Sequence, residues 1–287
     1  MKFIFFGAGY CSKFLIPLLP KKAEIICTHN KQIKKYANDK KHNIKRILFD
    51  DFLKNRDFFF KGTNFILNSI PPDPEGDIVF HNLSRDIIKN KDELSWFGYF
   101  SSTSVYGDHK GKWVDEETPL KPSNSRGKLR KKAEEQFLTL FNLNEIPIHI
   151  FRLPGIYGPN RSVFDRLRGQ KCLEIIKKNH FFSRIHVEDI ASALKKSMKK
   201  ITPGEIFNIT DDMPCSSSEV IRYAAKLLGI NKINSINYND PELPEKVRSF
   251  YNDNKKVKNK KIKKILEWTP KFRDYKLGLN EIFQLSE

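Results

Sequence analysis

Acidic residues and cysteines are both scarce in this chain, and each shortage narrows what it can be. There are 34 Asp and Glu against 52 Lys and Arg, for a net charge of +18. Such a balance suits nucleic acid, an anionic membrane surface or an anionic small ligand. Of the cations 39 are Lys and 13 are Arg, and the Lys run along the whole length, as on a solvated surface. The densest cluster is 252–264, NDNKKVKNKKIKK, where Val257, Ile262 and then Ile265 are spaced for the buried stripe of a basic helix. The four cysteines, Cys11, Cys27, Cys172 and Cys215, form no CxxC pair, which fits reduced thiols in a cytoplasmic protein. There is no HExxH and no close His pair, so no metal site is expected; His180 and His186 flank a strand-like run and read as structural. No apolar run approaches the roughly 18 residues that cross a bilayer. Gly7, Gly9 and Lys13 interrupt the apolar start where a signal peptide would be continuous. No helix-turn-helix, RNP motif or aromatic-interleaved basic stripe supports nucleic acid. The expected partner is an anionic small molecule, with no specific nucleic acid and no membrane.

What is present is alternation. The chain has 287 residues, 39% of them apolar, enough for a large core. Strand-like runs fall at 2–7, 24–29, 44–50, 64–70, 96–102 and 147–153. Between them, YCSKFLIPLL, KQIKKYAND, GDIVFHNLSRDIIKN and KLRKKAEEQFLTLFN read at a 3.6 period. This predicts an α/β fold with a doubly wound parallel sheet. Residues 1–160 form the dinucleotide-binding part, to which the chain returns at about 185–211, and 161–287 form a smaller, mainly substrate-binding α+β part. A helix start is read at Asp189, and another at Ser217 as N-cap with Glu219 nearby.

FFGAGYCSKFL is the strongest local signal. Gly7 allows the tight turn after the first strand, and Gly9 lets the backbone approach a pyrophosphate. Ser12 replaces the last Gly of GxGxxG, where helix packs on strand. About 20 residues on, a carboxylate would hold the ribose of NAD. Here Thr28, His29, Asn30 and Lys31 stand instead. The expected cofactor is therefore NADP, with NAD second. Asp50 and Asp51 either hold an adenine amino group or cap the next helix.

The stretch YFSSTSVYGDHKGKWVDEETPLKPSNSRGKLRKKAEE resembles the extended short-chain dehydrogenase/reductase pattern. FRLPGIYGPNRS, RIHVEDIASAL and ILEWTP resemble later segments of that family, in the same order. The nearest type is its epimerase/dehydratase-like branch, with a Rossmann fold. The resemblance implies that Ser102, or its neighbour Thr103, bonds the reacting oxygen. Alignment through Gly127 and Glu134 puts Arg126 where the family's catalytic Tyr stands and Arg130 where its Lys stands. It assigns Tyr10, Cys11, Ser69, Ser101 and Arg130 to the cofactor's surroundings, and Pro154, Gly155 and Ile156 to the nicotinamide side. Arg161, Arg166, Arg168 and Arg184 fall in substrate-lining segments, which suits a phosphorylated or nucleotide-linked sugar; surface ion pairs are the other account. Phe6 stands where extended members have a further Gly. An Arg cannot exchange a proton usefully, so the acid, if there is one, comes from elsewhere; Tyr106 and Tyr157 qualify by residue type only. Two readings stay open: an oxidoreductase or epimerase/dehydratase, and an NADP-holding redox sensor without turnover. In relatives, the helices starting here near 78 and 128 pair across a homodimer.

Overall fold

The computed structural model describes residues 1–31, 42–169 and 172–285. Its first half runs β1 (Lys2–Phe6), α1 (Tyr10–Leu15), β2 (Glu24–His29), β3 (Ile44–Leu48), α2 (Phe49–Lys54), α3 (Arg56–Phe60), β4 (Phe65–Asn68), α4 (Ile78–Lys89), β5 (Trp96–Ser102), β6 (Trp113–Val114), α5 (Ser125–Asn144) and β7 (Ile148–Leu153). The second half runs β8 (Gly155–Tyr157), α6 (Val163–Arg168), β9 (Leu173–Ile176), β10 (Arg184–His186), α7 (Val187–Lys199), β11 (Ile206–Asn208), α8 (Ser217–Leu227), β12 (Asn234–Asn237), α9 (Glu245–Arg248), β13 (Lys256–Val257), α10 (Lys260–Leu266) and α11 (Tyr275–Gln284).

Seven strands make one sheet in the order β11-β7-β5-β4-β1-β2-β3, every pair parallel. Strand side chains alternate between faces. Phe3 and Phe5 therefore meet Leu15 of α1, Leu194 of α7 and Ile262 of α10 on one side. Ile4 and Phe6 meet Phe52 of α2, Leu83 of α4 and Phe137 of α5 on the other. Burying each such side chain stabilises by about 1.5–3 kcal/mol, and covering both faces explains why the strands read as continuous apolar runs. The Rossmann-type sheet reverses direction of growth between β1 and β4, and the ligand crevice of such sheets opens at that switch point. A third cluster, with Tyr157, Phe164, Ile221, Tyr275 and Leu279, holds α6, α8 and α11 together. Three small parallel pairs form outside the main sheet: β8 with β10, β9 with β12 and β6 with β13.

Several boundaries differ from the sequence reading. β3 stops at Leu48, and Asp50 and Asp51 lie in the first turn of α2 instead of ending a strand. The cap of α8 is Ser216; its hydroxyl accepts from the Glu219 N–H while the Glu219 carboxylate accepts from the Ser216 N–H, so Ser217 is already helical. α7 starts two residues before Asp189, capped by His186. The basic stretch 252–264 is not one helix: Val257 is a buried strand residue, and the helix begins at Lys260. The helix read at 31–39 falls almost wholly on 32–41, outside the described residues.

Candidate functional site

The loop after β1 is held by its neighbours' backbones and hydroxyls. Thr28 accepts from the Gly7 N–H through Oγ1 at 3.2 Å and from the Ala8 N–H through its carbonyl at 3.1 Å. Ser69 Oγ donates to the Gly7 carbonyl at 2.8 Å and to that of Phe6 at 3.1 Å. Gly7 has φ +71°, and a Cβ there would come within 2.7 Å of Ile70. A Cβ on Gly9 would meet only the Gly7 carbonyl, at 3.6 Å, so the space before it is open. That bare stretch of backbone, at the sheet's switch point, fits a dinucleotide's diphosphate. Ser12 is buried beneath the loop, and burial pushes the half-buried Cys11 thiol up to about 11. At the end of β2, His29 lies 3.2 Å from Nη1 of Arg46 on β3, and both line a small recess with Gly9, Ser12 and Lys13. Asn30 is exposed, and no carboxylate lines this recess among the described residues. Asp50 is exposed.

The ends of β5 and α5 carry the residues aligned with chemistry. Ser102 Oγ accepts from the Ser104 N–H at 3.2 Å, opening the turn that contains the buried Thr103. α5 packs on that turn through Gly127, where a Cβ would come within 2.6 Å of the Ser104 carbonyl. Arg126, one residue earlier, is exposed and lies 5.8 Å from the Phe250 ring centroid. Arg130 turns toward the sheet, its Nη1 donating to the Phe100 carbonyl and the Tyr99 hydroxyl. Ser101 faces away from Ser102 and donates to Glu134. Glu134 in turn pairs with Arg152, at 2.7 and 3.0 Å, and both side chains are at most 3% exposed. Arg152 also donates to the Tyr106 hydroxyl, which donates to Asn208 at 2.8 Å. Burial raises Tyr106 to about 12. Tyr157 is raised further, by burial first and then by Asp211, and its hydroxyl is packed against Gly278. The Tyr106 hydroxyl is thus committed to Asn208, and that of Tyr157 donates to the Asp274 carbonyl at 3.5 Å.

A cleft of about 390 Å³ is formed by β8, α6, β10, α8 and α11, and neither Ser102, Thr103, Arg126 nor Arg130 lines it. Gly155, Ile156, Arg161, Arg166 and Arg184 line it with Tyr157, Val220 and Tyr275; Pro154 precedes it as the residue joining β7 to β8. Arg184 is spoken for: its Nη1 donates to the Phe182 carbonyl at 3.0 Å and to that of Cys215 at 3.2 Å. Arg168 does not line the cleft and lies over the Phe164 ring of its own helix. Asp189 accepts from the Lys271 and Phe272 N–H groups, a buried structural brace. Sequence reading missed Arg46, Arg152 and Asp77. Asp77 caps α4 and is clamped by the Asn68 amide; burial lifts it to about 6, with its hydrogen bonds pulling the other way.

A parallel sheet with a glycine loop at its switch point and helices on both faces defines a Rossmann-type fold. The model of the NAD dependent epimerase/dehydratase family matches residues 89–210 of this chain. A solved structure of a conserved protein of unknown function from Silicibacter pomeroyi is 36% identical, with TM-score 0.88, over 99% of this chain and 98% of that one. Protein YeeZ of Escherichia coli is 30% identical over 132 residues, 46% of each chain. The dTDP-glucose 4,6-dehydratase of Bacillus anthracis, solved in complex with NAD, shares the fold at TM-score 0.78 and 21% identity, over 99% of this chain and 96% of that one. The chain spans about half the length of the curated relatives it matches.

Proposed function

We propose that this protein binds NADP in preference to NAD and acts as an oxidoreductase or epimerase on a phosphorylated or nucleotide-linked sugar in the cytoplasm. The observation that carries the reading is the adjacency of two features. The open Gly9 backbone and the arginine-lined cleft meet where Arg161 lies over the Tyr10 ring, 5.4 Å from its centroid. NADP over NAD is supported by His29 and Arg46 standing together where a carboxylate would repel a 2′-phosphate. Gly7, Gly9 and Tyr10 would hold the diphosphate, and Gly155 and Ile156 the nicotinamide side. When bound, the cofactor supplies hydride transfer at a carbinol carbon. Ser102 Oγ donates to the substrate oxygen, and Arg126 supplies fixed positive charge where alkoxide character develops. Arg126 gives up no proton, so that oxygen exchanges its proton with water.

A second reading, an NADP-holding regulator without turnover, is favoured by the burial of Tyr106 and Tyr157. Cofactor fluorescence titration decides the first point: NADPH binds at least about tenfold tighter than NADH, a gap of about 1.4 kcal/mol, and a preference for NADH rejects the NADP assignment. Turnover decides the second. Ser102→Ala lowers kcat on a nucleotide sugar at least tenfold with NADPH affinity unchanged; no turnover in the parent protein on any such sugar supports the regulator.

A further inference from the structure

The turn at 158–161 belongs to both halves of the site. Gly158 and Arg161 exchange backbone hydrogen bonds, at 3.2 and 3.0 Å, around Asn160 in the left-handed region at φ +58°. Tyr10, directly after the glycine loop, donates its hydroxyl to the Pro159 carbonyl at 2.9 Å. Gly158 is pressed against the same hydroxyl, since a Cβ there would come within 2.6 Å of it. The turn is therefore pinned to the loop after β1, although 149 residues separate Tyr10 from Pro159. The Arg161 side chain then lies over the Tyr10 ring, close enough to lower the pKa of both Tyr10 and Cys11 against the upward push of burial. The same side chain lines the cleft with Arg166 and Arg184.

No carboxylate claims Arg161 among the described residues. The nearest acid in sequence, Asp165, accepts from the N–H and hydroxyl of Ser162. Arg184 is committed to backbone carbonyls, which leaves Arg161 as the guanidinium that borders both compartments. Guanidinium is a planar fork of five donors and can serve an oxyanion on each edge.

We propose that Arg161 is shared between the cofactor's diphosphate and the anionic group of the substrate, so that each ligand raises affinity for the other. This rests on the dinucleotide and anion reading given above. The first ligand fixes the side chain on Tyr10, and the second meets a guanidinium already ordered. Reciprocity is required: the factor by which one ligand tightens the other is the same in both directions.

The test uses the full chain, with NADPH as cofactor and UDP as the cleft probe, inorganic pyrophosphate serving as a second probe. In the parent protein, saturating UDP tightens NADPH about fivefold or more, and NADPH tightens UDP by the same factor. Arg161→Ala weakens each ligand alone and brings the coupling factor to one. Arg161→Lys keeps the charge but loses the fork, and the coupling falls with it. Arg166→Ala weakens UDP and leaves the coupling intact. If NADPH binds and the coupling factor is one in the parent protein, or survives in Arg161→Ala, the sharing is refuted and the cofactor reading stands. If NADPH does not bind the parent protein, both fall together. If neither probe enters the cleft, the sharing falls with the anion reading.

Discussion

Glu134 and Arg152 place two opposite charges in the fold beneath the residues aligned with chemistry. Their ion pair is at most 3% exposed and sits under Ser101 and Tyr106. Removing one partner of a buried pair strands the other charge, at a cost of about 3–5 kcal/mol. Glu134→Gln should lower stability by about 3 kcal/mol in urea denaturation; a change below about 1 kcal/mol would mean that water reaches Arg152. At this scale the sequence was legible where chemistry is local. Gly7 announces its turn because its φ of +71° and the close approach of Ile70 leave no place for a side chain. Glu134 stood out by its place in the aligned helix. Arg46 and Arg152 did not, because what they touch is set by register. Arg46 sits beside His29 only because β2 and β3 pair in one alignment, and Arg152 faces Glu134 only because α5 lies over β7. No spacing rule along one chain carries that information.

Elements were legible in kind and less so at their ends. The six apolar runs all became strands of one sheet, since burial on both faces leaves a continuous apolar signature. Ends depend on single hydrogen bonds. In CSSSEV the choice between Ser216 and Ser217 turns on which lies three residues before Glu219, and Ser216 does. Ser216→Ala should therefore cost about 1 kcal/mol, while Ser217→Ala should change thermal stability little; equal losses would contradict the capping box. The basic stretch at 252–264 misled for a different reason. Its apolar residues satisfy a helical stripe, but Val257 is drawn into a strand by β6, far away in sequence, and tertiary pairing overrode the local pattern.

For the whole molecule, buried titratable groups set the acid side of the stability curve. His149 is fully buried, its Nδ1 at 3.0 Å from the Pro147 carbonyl and its Nε2 accepting from the Thr202 N–H at 2.9 Å. Burial lowers it to about 4 from 6.5. Its contribution is complete above pH 6.5 and lost as pH falls through 4, since the unfolded chain then binds the extra proton. Asp77 and Asp189 act in the opposite sense. Burial raises each from 3.8 to about 6, so their contributions are complete below pH 3.8 and lost as pH rises through 6. The two sets offset one another in wild type. The difference in unfolding free energy between wild type and His149→Gln should therefore shrink by up to about 3 kcal/mol between pH 7 and pH 4. A difference that does not vary with pH would show that His149 titrates normally.

Residues 253–258, around β13, return to the residues that frame the start of α5. Asp253 holds Ser123 and Asn124 at the start of α5, Lys255 reaches the Gly107 carbonyl, and Lys258 accepts from Asn208. Ser123 waits 130 residues for its partner. Domains fold as units; the glycine loop shares hydrogen bonds with Thr28 and Ser69, but the face of β1 beneath it is covered by α7 and α10 from much later in the chain. Framing of the start of α5 therefore waits until Asp253 has been synthesised.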